Sequence, residues 1–126
     1  MMFNLTQHAA TKEQIEAGVI DPQESTKECI ARLLTFNTVP SQPALRGRAK
    51  TIARRCGAGT THALIGGAPY LMSYLEHELK ARGIVPVYAF SLRISEEHTN
   101  EQGQVVKTNR FVHLGFVEAG PTGHQS

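Results

Sequence analysis

Apolar residues along the chain follow two spacings, and the switch between them marks out a βαβ unit near the middle. Ala63-Leu64-Ile65 is a short unbroken apolar run bounded by Gly66-Gly67, the pattern of a strand covered on both faces. Ala68, Leu71, Met72, Leu75 and Leu79 then recur every three or four residues, which predicts an amphipathic helix with Pro69 at its first position and Gly83 at its close. Its outer side pairs Glu76 with Lys80 and Glu78 with Arg82 in the favourable order. A second strand begins at Val85. Such a crossover commits the chain to a parallel sheet, whose ligands bind beyond the carboxyl ends of the strands.

The rest of the pattern extends this unit at both ends. Met2-Phe3-Asn4-Leu5-Thr6 reads as a first strand, and Thr11-Lys12-Glu13-Gln14 has capping-box spacing for a helix over about 12–17 that stops at Gly18. Val19-Ile20 is a very short strand candidate. Asp21 and Pro22 predict the N-cap and first position of a helix over about 22–35, which buries Cys29, Ile30, Leu33 and Leu34. A third helix, over about 43–56, carries Leu45, Ala49, Ile52, Ala53 and Cys56 on one side. Arg46, Lys50 and Arg54 line another side, read as a solvated face rather than an anion site. Two long strands, 85–97 and 105–118, flank the turn Asn100-Glu101-Gln102-Gly103 and predict an antiparallel hairpin projecting from the body. The expected fold is α/β: a small three-layer domain over 1–119 with a mostly parallel sheet and a C-terminal antiparallel hairpin, followed by a disordered tail over 120–126.

Composition narrows the class without naming a chemistry. The 126 residues are 40% hydrophobic and 19% charged, as in one globular domain, and no apolar run approaches the ~20 residues of a membrane helix. Met1-Met2-Phe3-Asn4 does not open a signal peptide, so a cytoplasmic protein away from membranes is expected. The net charge of +2 does not point to an extended nucleic-acid duplex, although Arg46, Arg48, Lys50, Arg54 and Arg55 lie close together. Cys29 and Cys56 read as small buried hydrophobes, and their spacing suggests neither a metal site nor any other cofactor.

Candidate chemistry gathers where the strand ends should meet. The carboxyl ends bring together Thr6-Gln7-His8, Gly66-Gly67-Ala68 and the stretch from Ser91 to Arg93. Glycines before a helix allow close approach to the backbone, and the helix start favours an anion such as phosphate. Gly66-Gly67 is neither a G-x-G-x-x-G fingerprint nor a P-loop, so a plain turn is an equal reading. If residues 99 and 104 flank a four-residue loop, Arg93 faces Arg110 and Glu96 faces Lys107. Two facing guanidinium groups repel unless an anion such as phosphate lies between them. Of the histidines, His8 lies at the crevice end of the first strand and His113 within the last strand. His62 lies at the wrong end, His77 on an outer helix face and His124 in the tail.

Several of these segments resemble small CRISPR-associated Rossmann-like proteins, the group that includes ring nucleases acting on cyclic oligoadenylate. The likeness is carried by Gly83-Ile84-Val85-Pro86-Val87-Tyr88-Ala89 and Arg93, by Gly103-Gln104-Val105-Val106-Lys107, by Phe111-Val112-His113 and Phe116, and by Thr11-Lys12-Glu13-Gln14 and Val39-Pro40-Ser41. The resemblance implies a metal-independent phosphodiesterase in which a 2′-hydroxyl attacks its neighbouring phosphate. For that chemistry the backbone at Gly67 and Ala68 with Arg93 would hold the phosphate while His8 moves protons, and the strand ends and hairpin register add Thr6, Gln7, Gly66, Ser91 and Arg110 as the expected ligand contacts. A cyclic, symmetric ligand also suits a homodimer. One departure matters: such proteins carry a Gln-Gly-acidic segment after the inner strand, where this chain has Ile65-Gly66-Gly67-Ala68-Pro69. A nucleotide-sensing protein without cleavage activity, or a protein-interaction module built on the hairpin, therefore stands as the alternative.

Overall fold

The computed structural model describes residues 1–120. Its elements, in chain order, are β1 (Met2–Asn4), α1 (Lys12–Glu16), β2 (Val19–Ile20), α2 (Glu24–Leu34), α3 (Gln42–Ala53), β3 (His62–Leu64), α4 (Pro69–Ala81), β4 (Val85–Thr99) and β5 (Val105–Glu118). The strands form one five-stranded sheet in the order β2-β1-β3-β4-β5. Every neighbouring pair is parallel except β4 and β5, so the fold is a small mixed α/β, Rossmann-like domain closed by an antiparallel hairpin. The tail expected from 120 onward lies, beyond its first residue, outside the described residues.

Local chemistry accounts for most of the boundaries. Thr11 and Gln14 form the capping box of α1, with Thr11 Oγ1 accepting from the Gln14 amide and Gln14 Oε1 from the Thr11 amide. Ser41 Oγ accepts from the Ala44 amide and starts α3. Two expectations need correction. Asp21 is not the N-cap of α2; that position is held by Gln23, because the Asp21 carboxylate is bound to Asn4 and Ala10 instead. The third helix ends at Ala53, three residues short of Cys56, as the chain turns through Gly57 and Gly59 toward β3.

The helices α2, α3 and α4 cover one face of the sheet. Phe3 and Leu5 from the first strand and the residue after it, Ala63 and Ile65 around β3, and Ile30, Ile52, Leu71, Leu75 and Leu79 from the helices form the main core. Leu5, Ile30, Ile52, Ile65, Leu71, Leu75 and Leu79 are fully buried, each stabilising the fold by about 1.5–3 kcal/mol relative to exposure. The second face has a thinner cover. Val19, Leu64 and Val87 are buried there under Ala10 and Phe116, and α1 has no buried residue.

Beyond Val87 the hairpin leaves the sheet. β3 pairs with β4 only over Val85–Val87, so the chain from Tyr88 to Thr99 has β5 as its neighbour in the sheet. At ~3.3 Å per residue this ribbon extends for about 36 Å from the carboxyl end of the parallel strands. Its pairing shifts between Phe90 and Ser91, where Leu114 is the extra residue and Gly115 takes φ 158°, a β-bulge that re-aims the ribbon.

The register corrects the arginine pair. The turn takes in one more residue than expected, because Asn100 Oδ1 accepts from the amides of Gln102 and Gln104 and Gly103 takes φ 77°. Thr99 therefore faces Val105, Arg93 faces Phe111 and Arg110 faces Ile94. The slip puts Arg93 and Arg110 on opposite faces of the ribbon. Arg110 instead donates to Glu96 at 2.9 Å, and Glu97 rather than Glu96 lies opposite Lys107, at 3.7 Å. No like-charge pair calls for an anion.

Cys56 packs against the main core, and burial pushes its thiol up to about 11, an effect that nearby Arg82 partly offsets. With Cys29 replaced by serine, alkylation of the folded protein at pH 8 is expected to run at least about tenfold slower than in urea, since the thiolate is the reactive form. Equal rates in the two conditions, followed by mass spectrometry, would contradict this placement.

Candidate functional site

The strand order reverses between β1 and β3. From β1 the chain crosses by α1 to β2 on one side, and then by α2 and α3 to β3 on the other. The two crossovers part at the carboxyl ends of β1 and β3, and the opening left there is where ligands of such sheets bind. A crevice of about 640 Å³ occupies this place, lined by Thr6, Gln7, His8 and Ala9 after β1, Thr11 and Gln14 of the capping box, Ile65, Gly66 and Gly67 after β3, and Tyr88 and Ala89 of β4. That size is ordinary for a small-molecule site.

Its first wall is tied down by one side chain. Asn4 is 2% exposed, and both of its amide hydrogens and its oxygen are engaged. Nδ2 donates to the His8 carbonyl and to Asp21 Oδ1, each at 2.8 Å, while Oδ1 accepts from the Thr6 amide at 2.9 Å and from Thr6 Oγ1 at 2.7 Å. Asp21 also accepts from the Ala10 amide with both carboxylate oxygens. The loop over 6–10 is thus fastened at Thr6, His8 and Ala10, and the His8 ring is carried at the exposed rim of the crevice.

The second wall is backbone. Gly67 has φ 151°, and a Cβ there would lie 3.4 Å from Met72 Cε and 3.7 Å from Leu34 Cδ2, so glycine suits both the conformation and the space. Ala68 sits at the N-cap of α4 and offers the first amides of the helix no side-chain oxygen. Polar backbone and a helix start therefore border the crevice without a capping side chain of their own. At the third wall, Tyr88 donates to Glu76 Oε2 at 2.7 Å. Burial, then this hydrogen bond and the Glu76 charge, push the Tyr88 hydroxyl well above the ordinary tyrosine range and keep it protonated.

The model of the family described as "Uncharacterized protein MJ1673 family" matches residues 1–117. The chain belongs to the MJ1673 family. Its match spans the crevice and nearly all of the ribbon, so both are parts of the MJ1673-family domain. No curated protein and no solved structure matches the chain.

Five of the nine candidate residues line the crevice of this MJ1673-family chain: Thr6, Gln7, His8, Gly66 and Gly67. Ala68 adjoins it at the helix start. Ser91 and Arg93 lie on the ribbon opposite His113 and Phe111, and Arg110 is engaged with Glu96, so none of these three lines the crevice. The ribbon carries β4 away from the sheet just where a crevice residue would have to stay. His113 packs on Phe116 with ring centroids 4.8 Å apart, and its buried Nδ1 has no hydrogen-bond partner among the described residues. His62 accompanies Thr61 at the opposite end of β3. Among the described residues no three His, Cys, Asp or Glu side chains group so as to hold a metal ion, and no helix is long and apolar enough to cross a membrane.

Asn4, Asp21 and Tyr88 were not evident as site residues. An Asx-type signal was present in Asn4-Leu5-Thr6, a polar residue ending a strand with a hydroxyl two positions on. Nothing local couples Asn4 to Asp21. A second cavity, near the start of α4, is lined by Phe36, Val39, Pro40, Leu45 and Tyr70. Phe36 meets Tyr70 edge-on at 5.4 Å and lies under the Arg48 guanidinium at 4.2 Å. That cavity is apolar and carries no acid-base pair.

Two outcomes test this construction. Asn4→Asp removes both donors and sets a second carboxylate against Asp21, so it is expected to cost about 3 kcal/mol in urea denaturation, part of which Asp21→Asn in the same chain recovers. No recovery in the double variant would mean the two side chains are not coupled. For Tyr88 the raised folded value means that its stabilising effect is complete below about pH 10 and fades above it. Between about pH 10 and 12, wild type should lose stability more steeply than Tyr88→Phe, and parallel pH curves would show that the Glu76 contact carries nothing.

Proposed function

We propose that the crevice binds the phosphodiester backbone of a cyclic oligonucleotide of the oligoadenylate type and promotes its metal-independent cleavage. The observation that carries the reading is the meeting of a glycine backbone wall and His8 in one opening at the switch point of a parallel sheet, with the start of α4 adjoining it. Phosphate suits the amides around Gly66 and Gly67. The aromatic pair Phe36 and Tyr70, beside the same helix start, supplies a surface on which a purine can stack.

The chemistry asks little of the protein. In RNA the 2′-hydroxyl oxygen forms a bond to the adjacent phosphorus while the bond from phosphorus to the 5′-oxygen breaks, leaving a 2′,3′-cyclic phosphate and a 5′-hydroxyl. His8 takes the proton from the 2′-hydroxyl, and water or the returning imidazolium protonates the leaving oxygen. Holding the backbone in line and stabilising charge on the phosphoryl oxygens supply the remainder. Arg93 stands outside the crevice on a ribbon that rises from the same end of the sheet, so in this reading it draws an anionic ligand toward the opening rather than gripping the phosphate.

With chelator present, purified protein is expected to convert cyclic tetra-adenylate to linear products carrying a 2′,3′-cyclic phosphate. His8→Ala should slow this by about 10²-fold or more, the usual share of a general base, while Arg93→Ala should mainly weaken binding at low salt, the difference from wild type shrinking as salt is raised. Saturable binding without turnover would select the sensing alternative, and neither binding nor turnover would overturn the nucleotide reading.

A further inference from the structure

One face of the ribbon carries a continuous apolar stripe that its own chain covers only in part. By the register, Phe90, Leu92 and Ile94 of β4 share a face with Val106, Val112 and Val117 of β5. Phe90 and Leu92 are each 48% exposed and Val117 is 52% exposed, although this face continues the side of the sheet that α4 covers lower down. The opposite face presents Arg93, Ser95, Glu97, Lys107 and Asn109 to solvent, with the exposed Phe111 among them and Val105 beside the turn, so its apolar residues are separated by charged and polar ones rather than joined in a stripe. A two-stranded ribbon is at best marginally stable by itself, and an apolar stripe of this kind marks a contact surface.

We propose that this face packs on the same face of a second copy of the chain. The occupant is indicated by charge. Glu96 and Arg110 are the acidic and basic residues of the face, they lie near the middle of the ribbon, and they are opposite in sign and in contact at 2.9 Å. A surface with one charge of each sign at its centre complements itself under a two-fold axis. With two ribbons antiparallel, about 10 Å apart and related by an axis at the level of Ser95 and Asn109, Glu96 comes to the level of the partner subunit's Arg110 and Val112 to that of the partner subunit's Val106. The antiparallel arrangement also sends the two bodies to opposite ends, clear of each other's α4. The proposal stands apart from whatever the crevice binds, because no residue of the stripe lines it.

Sedimentation equilibrium of the full chain tests it. Wild type is expected to be dimeric at about 100 µM, and a monomer there would overturn the proposal outright. Glu96→Arg makes the face wholly basic and Arg110→Glu makes it wholly acidic, so each variant alone should dimerise at least about tenfold more weakly, with far-ultraviolet circular dichroism unchanged. An equimolar mixture should form a heterodimer. The ion pair within the chain is lost in both variants, so only attraction between chains restores association. A mixture that stays monomeric, or single variants that dimerise as tightly as wild type, would overturn the ribbon interface.

Discussion

The buried amide of Asn4 is the constraint on which the candidate site depends. A polar side chain at 2% exposure is tolerated only when its hydrogen-bonding capacity is met, and here both donors and the acceptor oxygen are used. Those bonds reach the three things that define the opening: the end of β1, the loop that carries His8, and Asp21 where the chain leaves β2. Replacing any one of them with water would leave the loop to find its own path. The position of His8 is therefore a property of the sheet interior rather than of the surface on which the ring sits.

Asp21 shows how such a network overrides local preference. An aspartate followed by proline is a strong helix-start signal, worth about 1 kcal/mol as an N-cap. Instead the carboxylate accepts from Asn4 Nδ2 and twice from the Ala10 amide, while α2 begins three residues later behind Gln23, which supplies no side-chain cap. Charge-assisted bonds in a partly buried setting outweigh a solvent-exposed cap. The helix tolerates the loss because Ile30 and Leu34 are buried in the core and Arg48 donates to the carbonyls of Leu33 and Thr35 at its far end.

What was legible in the chain follows from which interactions are local. The βαβ unit, the capping box of α1 and the closing hairpin each announce themselves within a few residues, and all are present. The positions of Thr6, Gln7, His8, Gly66 and Gly67 around one opening follow from the parallel sheet alone. The hairpin register did not follow, because it turned on whether Asn100 would fold its side chain over the turn and draw in one more residue. A slip of one residue was enough to move Arg93 and Arg110 to opposite faces. The Asn4 and Asp21 contact, seventeen positions apart, has no signature in either segment.

The crevice and the ribbon rise from the same end of the sheet, and they answer to different physics. The crevice is held by buried polar bonds and sets the glycine backbone at 66–67 beside polar side chains such as Gln7, His8 and Gln14, and the reading proposed for it asks for a ligand that brings its own nucleophile. Ile65-Gly66-Gly67-Ala68-Pro69 fits that condition at Gly67, where a φ of 151° and the lack of a Cβ permit close approach to the backbone, while Pro69 brings no N–H to the helix start. The ribbon is held by little beyond its own ladder and two exposed ion pairs, which are worth at most about 1 kcal/mol each. Its extended form therefore rests mainly on the ladder itself, and a contact that covered Phe90, Leu92 and Val117 would add to a support that the chain alone leaves thin.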